Sequence, residues 1–397
     1  MSVLSARTLP LVAALAACAP PDDDGAPADD TDGDALPAPV APDPVDPDLR
    51  GPYGVGAQTL VFTDPRGKEL TVEVWFPADL SDDPSPDPYP EIPLTLTAHR
   101  DVPADRRGAP YPVIGFTHGL GGIRFQSASL CEHLASHGFV IISPDHAGHT
   151  LYDYIRGFDS SKTGQVILER PGDVSLSIDH VLALTEDEAP ELAGMGDASR
   201  LAIVGHSFGA INTLMLAGAE DDLPGLTDWC EENKGSACRY IDRIDFDAVT
   251  DTQFADPRVV AAVTMSPGAW YAFGPEGGGL AGLPPTMVLG GTEDDTLSWE
   301  REIAPTYEAL SRPRYLAEIA GAGHYGPFSD LCLVLASRAD CAGAAGGFLD
   351  PDAGKAIVHP LVTAFLRRYV LEDTTMDAWL QPPFTDGPAA LTWSAEP

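Results

Sequence analysis

The sequence predicts an α/β fold: a mostly parallel central sheet with helices on both faces, entered through an antiparallel hairpin. Two patterns carry that expectation. Short, near-continuous apolar runs recur along the chain with helix-compatible stretches between them, as strands buried on both faces of a parallel sheet require. One such run, 201–204, passes through Gly205-His206-Ser207-Phe208-Gly209 into the helix-compatible run 210–216. Strand, sharp turn and helix follow in succession.

Residues 59–63 and 70–76 are β-rich and flank the turn Asp64-Pro65-Arg66-Gly67, which reads as the hairpin. A Pro-rich loop covers 81–112. The runs 113–116, 139–142, 201–204, 259–263, 286–289 and 315–319 read as strands, and 125–136, 173–185, 208–217, 299–310 and 355–370 carry helical patterns. Residues 51–385 form one domain in this reading. Within it, the insertion 219–256 is too long for a simple connection. It follows the helix after Ser207 and is either a cap over the site or an acidic surface excursion. Residues 386–397 are expected as a C-terminal tail.

The N-terminal end reads as targeting. Arg7 precedes the apolar stretch 9–17, which is too short to span a bilayer. It ends Leu15-Ala16-Ala17-Cys18, similar to a bacterial lipobox, so residues 1–17 are expected as a lipoprotein signal peptide and Cys18 as the lipidated residue. A plain signal peptide is the alternative. Residues 19–50 hold ten Asp, eight Pro and one basic residue, Arg50; 18–50 is therefore expected as a disordered acidic tether. Export permits disulfides. Close spacing suggests Cys230–Cys238 and Cys332–Cys341, leaving Cys131 as a buried free thiol, although spacing alone does not give connectivity.

Across 397 residues, 60 Asp+Glu stand against 23 Lys+Arg, a net charge near −37. That balance argues against nucleic-acid binding and against a polyanionic substrate.

A serine hydroxyl becomes a nucleophile when a base takes its proton and an acid orients the base. In α/β-hydrolases the chain order is serine, acid, histidine. After Ser207, the run 286–289 leads into Gly290-Gly291-Thr292-Glu293-Asp294-Asp295. A carboxylate there lies at the ligand-binding edge of the sheet. Asp294 is the expected acid, with Asp295 open as the alternative. His324, in the small-residue loop Gly321-Ala322-Gly323-His324-Tyr325-Gly326, is the expected base. The oxyanion would be held by the Phe208 N–H and by the Leu120 N–H of the Thr117-His118-Gly119-Leu120-Gly121-Gly122 loop. His118 is expected to hold that loop, and His146 and His149 to line the rim. A metal at these histidines lacks further ligands at recognisable spacing.

These residues resemble a family, the secreted α/β-hydrolases of the platelet-activating-factor acetylhydrolase and predicted dienelactone hydrolase group. The resemblance runs over most of 51–372. It is carried by Gly51 to Gly56 with Val72 to Pro77, His118-Gly119-Leu120-Gly121, the stretch from Leu134 to Val140, and Gly205 to Gly209. One element departs. Acetylhydrolases of this group are similar in placing the acid before an Ala-Trp pair, but here Gly268 precedes Ala269-Trp270. The segment from Pro285 to Asp294 instead resembles bacterial cutinases and polyester hydrolases, which supports Asp294. Trp270 matches in type the aromatic those enzymes place beside the scissile ester; Trp270, His206 and Tyr325 are expected to contact substrate.

The implied activity is that of a lipid-anchored serine esterase acting through an acyl-enzyme on Ser207 and needing no cofactor. A polyester, cutin or phospholipid acetyl-ester hydrolase is the alternative within enzymes, and a non-catalytic binding lipoprotein the alternative outside them. A small ester, lipid or polyester is the expected partner, with the membrane reached through Cys18 and a monomer as the expected state.

Overall fold

The antiparallel entry to the sheet is built by two ten-residue strands. In the computed structural model, which describes residues 45–397 apart from 82–84, 90, 158, 245–253, 334, 336–337 and 382–390, β1 (Gly54–Thr63) and β2 (Glu69–Ala78) pair around the predicted turn. Asp64 closes that turn by accepting from the Arg66 and Lys68 amides at 2.8 and 3.0 Å.

The chain then alternates. β3 (Tyr111–Thr117), α1 (Ala128–Ser136), β4 (Val140–Pro144), α2 (Leu151–Gly157), α3 (Thr163–Leu182) and β5 (Gly196–His206) lead to α4 (Phe208–Leu216). After α4 come α5 (Leu223–Glu232), β6 (Val259–Met265), β7 (Thr286–Gly291), α6 (Ala304–Ala309), β8 (Arg314–Ile319), α7 (Pro351–Val370) and β9 (Leu391–Glu396). The nine strands form one sheet in the order β1-β2-β4-β3-β5-β6-β7-β8-β9. β4, β3, β5, β6, β7 and β8 run parallel, with β2 antiparallel to β4 and β9 antiparallel to β8.

The continuous apolar runs arise because each strand feeds two cores. Val113 packs with Val174 and Ile178 of α3 on one face of the sheet, whereas its neighbour Ile114 joins Leu134 of α1 and Phe365 of α7 on the other. Period-two side-chain alternation turns an unbroken apolar run into two apolar faces. Each fully buried large aliphatic or aromatic side chain contributes about 1.5–3 kcal/mol, and this double burial holds the sheet from both faces.

Three boundaries differ from the sequence expectation. Residues 391–396 are not a tail but the edge strand β9, paired to β8 from Leu391↔Ile319 to Glu396↔Arg314. α3 starts at Thr163 and carries Pro171 and Gly172 in its interior; that pair reads as a helix boundary in sequence. The last residues of the expected tether dock on α1, where His133 Nε2 reaches the Pro47 carbonyl at 3.0 Å and His137 Nε2 reaches that of Leu49 at 2.9 Å. The signal peptide, Cys18 and the tether as far as residue 44 lie outside the described residues. Among the described residues no helix is long and apolar enough to cross a membrane. Disulfides join Cys230 to Cys238 and Cys332 to Cys341, and Cys131 is a buried free thiol.

Candidate active site

Parallel strands deliver their carboxyl ends to one edge of the sheet, and three of them carry the predicted constellation there. Ser207 follows β5 and precedes α4 with φ 56° and ψ −118°, a conformation that a residue with a Cβ rarely adopts. Its amide is held by the Met265 carbonyl of β6 at 2.8 Å. The flanking glycines are required by contact: a Cβ at Gly205 would overlap the Gly209 carbonyl, and one at Gly209 would overlap the Thr117 carbonyl. Strand, elbow and oxyanion loop therefore close to backbone distance around the serine.

His324 follows β8 and is buried, with Nε2 2.9 Å from Ser207 Oγ and Nδ1 2.7 Å from Asp294 Oδ2. Asp294 follows β7. Its other oxygen accepts from the Thr296 and Leu297 amides at 2.9 and 2.8 Å. Burial works against its charge, but the adjoining His324 ring and those two amides hold its carboxyl below the usual carboxylate range. Asp295, with its side chain 73% exposed, turns instead toward Arg338 at 3.5 Å. An imidazole that accepts from a hydroxyl and donates to a buried carboxylate can take the hydroxyl proton as its oxygen attacks.

The Leu120 loop passes close to the serine, and a Cβ built on Gly119 would lie 3.2 Å from Ser207 Cβ. Among the described residues neither the Leu120 nor the Phe208 N–H donates within the chain, while Gly119 and Gly121 donate to Gln126 Oε1 and the His149 carbonyl at 2.9 and 2.8 Å. His118 is buried behind this loop; its Nδ1 donates to the Gly119 carbonyl at 2.7 Å and its Nε2 accepts from the His146 amide at 3.1 Å.

Two of the expected substrate contacts are placed elsewhere. His206 is fully buried behind the serine, with Nδ1 2.8 Å from Gln126 Nε2 and Nε2 2.8 Å from the His324 carbonyl. Burial and the nearby His324 push its pKa down to about 3, so it is a neutral strut. Trp270 follows Ala269, which takes a left-handed φ of 58°. Its Nε1 donates to the Arg301 carbonyl at 2.9 Å and its ring packs on Trp229; it is not among the residues that line the cavity at Ser207. Tyr325 does line the cavity at Ser207. His146, expected at the rim, is buried with Nε2 3.0 Å from Thr117 Oγ1 and Nδ1 3.0 Å from Asp173.

Sequence reasoning missed three residues that hold the site. Gln126 ties the Gly119 amide to His206 and, through it, to the loop bearing His324. Arg170, fully buried, donates to the His118 carbonyl and stacks 4.9 Å from the Phe208 ring; burial lowers its pKa to about 9. Glu302 accepts from the Ser236 and Ala269 amides at 2.9 and 2.7 Å, fastening the insertion to the loop after β6. Neither glutamine, arginine nor glutamate stood in a motif, so only the folded geometry shows them.

The serine opens into a cavity of about 550 Å³ lined mainly by apolar side chains. Part of the 219–256 insertion forms its wall: Leu223, Leu226, Ala237 and Tyr240 face the same space as Ser207 and His324. Among the described residues no group of three or more His, Cys, Asp or Glu is arranged to hold a metal ion.

The family model described as "Platelet-activating factor acetylhydrolase, isoform II" matches residues 94–154, the stretch that contains β3, the Leu120 loop, α1 and β4. The chain is 32% identical to "Cutinase est1" of Thermobifida alba over 127 residues, 31% of this chain and 37% of that one. It is 31% identical to the platelet-activating factor acetylhydrolase of Canis lupus familiaris over 163 residues, 32% of this chain and 36% of the other. The corresponding protein of Cavia porcellus is 24% identical over 140 residues, 28% of this chain and 32% of its own. The chain thus spans about a third of the length of the curated relatives it matches. Its mostly parallel sheet is that of an α/β-hydrolase fold, and over that shared third the chain is similar both to platelet-activating factor acetylhydrolases and to cutinases.

Proposed function

We propose that this chain is a serine esterase, with Ser207 as nucleophile, His324 as general base and Asp294 as the acid that orients it. One observation carries the reading: the unbroken hydrogen-bonded line from Ser207 Oγ through His324 to Asp294, at 2.9 and 2.7 Å. In this mechanism Oγ attacks the ester carbonyl carbon as His324 Nε2 takes its proton, and Asp294 stabilises the imidazolium that forms. The tetrahedral oxyanion is held by the Leu120 and Phe208 amides at the N-terminus of α4. Collapse returns the proton to the leaving alcohol. Water, activated by the same histidine, then hydrolyses the acyl-enzyme.

The relatives divide between platelet-activating factor acetylhydrolases and cutinases. A cavity partly walled by the insertion favours a discrete ester over a polymer surface. Ser207→Ala is expected to reduce p-nitrophenyl ester hydrolysis by at least about 10⁴-fold, leaving only the residual catalysis that the oxyanion hole and binding supply; retention of more than a small fraction of activity would remove the nucleophile assignment. For the N-terminal end we propose export and lipid attachment at Cys18 to a bacterial envelope membrane, supported by the Leu15-Ala16-Ala17-Cys18 pattern. Cys18→Ser should move the protein from the membrane fraction to the soluble one, and unchanged partitioning argues for a different mode of attachment.

A further inference from the structure

The cavity beside Ser207 has a direction. Phe208, Ile211 and Met215 all line it, and Ile211 and Met215 lie one turn apart on the same side of α4. From Ser207 to Met215 the helix advances about 12 Å. Leu226 of α5, with Ala272 and Phe273, forms the facing wall. Met215, Leu226 and Phe273 are 6%, 2% and 1% exposed, so the surface they bring to the inner end is hydrocarbon and thioether. Of the charged lining residues, Asp221 and Arg239 are exposed and Arg338 is half-buried.

We propose that this passage binds one unbranched hydrocarbon arm of about ten carbons, belonging to the ester cleaved at Ser207. The proposal rests on the esterase reading above and specifies the substrate within it. An extended chain advances about 1.2 Å per backbone bond, so 12 Å accommodates about ten. Each methylene transferred from water to such a surface gains about fourfold in kcat/KM, and the gain ends where the passage ends, at Met215. An arm bearing hydroxyl or charged groups finds no partner in the inner passage and is rejected. Met215, at the deep end of the α4 face, sets the length.

Two ester series test this: p-nitrophenyl esters from acetate to palmitate, and alkyl acetates from methyl to dodecyl. The first lengthens the acyl arm and the second the alcohol arm. One series should rise about fourfold per methylene and level near ten carbons, identifying which arm enters; a flat or falling profile in both overturns the proposal. Met215→Trp should cut the decanoate-to-butyrate ratio of kcat/KM, or its alcohol counterpart, by at least about tenfold, and Met215→Ala should move the plateau to longer chains. These ratios are independent of the fraction of a variant that folds, and ratios unchanged in both variants overturn the proposal. Binding separates this claim from the esterase reading. Calorimetry of decanoate and hexanoate with Ser207→Ala requires no turnover: tighter binding of decanoate supports the passage whatever the wild type hydrolyses, and equal binding overturns it.

Discussion

The backbone of Ser207 sets geometry, and in the proposed mechanism its side chain carries the chemistry. A φ of 56° at a residue with a Cβ costs on the order of 1–3 kcal/mol, offset by the Met265 carbonyl bond and by the sheet on either side. The same division separates the two neighbouring acids. Asp294 is buried and gives one oxygen to His324 and the other to two amides, while Asp295 is largely exposed. Asp294→Asn should therefore lower kcat by roughly 10³–10⁴-fold, since an amide can hold His324 in the wrong tautomer. Asp295→Asn should change it less than about threefold, because exposed ion pairs contribute little. The reverse order in steady-state kinetics would move the acid. Ser207, Asp294 and His324 were legible as candidates because each occupies a short loop after an apolar run, in a required order. Gln126 and Arg170 were not, since nothing local distinguishes a glutamine or an arginine that serves a distant loop. Trp270 marks a limit of another kind: matching a residue type across proteins does not give its partners, which here are the Arg301 carbonyl and Trp229.

At the level of elements, α1 and α7 bring three histidines together. The ring centroid of His133 in α1 lies 4.8 Å from that of His137, just past the end of α1, and 5.4 Å from that of His359 in α7. Burial lowers their pKa values to about 4, 3 and 3 from an ordinary 6.5. The unfolded chain takes up protons below about pH 6.5 that the folded chain refuses until pH 3–4, so stability is full above about 6.5 and is lost as pH falls through that window. At pH 5 each ring contributes about 1–2 kcal/mol of that loss. Thermal melts between pH 7 and 4.5 should show a steadily falling Tm, and His359→Phe should flatten the slope; an unaltered slope would place the acid sensitivity elsewhere. The six parallel strands were readable because double burial writes them as unbroken apolar runs. β9 was not, because Leu391, Trp393 and Ala395 alternate over only six residues, too few to separate from a tail. α3 was shortened in the reading because Pro171-Gly172 signals a boundary that burial against the sheet overrides.

The whole molecule divides into a frame and walls. The frame is the nine-stranded sheet with α1, α3 and α7, which positions Ser207, Asp294 and His324 at the carboxyl ends of β5, β7 and β8. The walls are the 219–256 insertion and the loop after His324, which supply Leu226, Tyr240, Tyr325 and Arg338 to the cavity. Both disulfides belong to the walls: Cys230–Cys238 closes part of the insertion, and Cys332–Cys341 braces the loop whose Asp340 accepts from the Tyr325 amide at 2.8 Å. Each closes a loop of eight or nine residues, worth about 2.5 kcal/mol of chain entropy. Among the described residues no cross-link joins two strands of the sheet. The catalytic line and the shape of the space in front of it therefore answer to different chemistry. In a thiol-rich compartment the chain is therefore expected to fold its frame with the walls of the cavity unbraced. Mild reduction should erode turnover of a long-chain ester while the principal thermal transition barely moves, and activity and Tm falling together would put the cross-links in the frame after all.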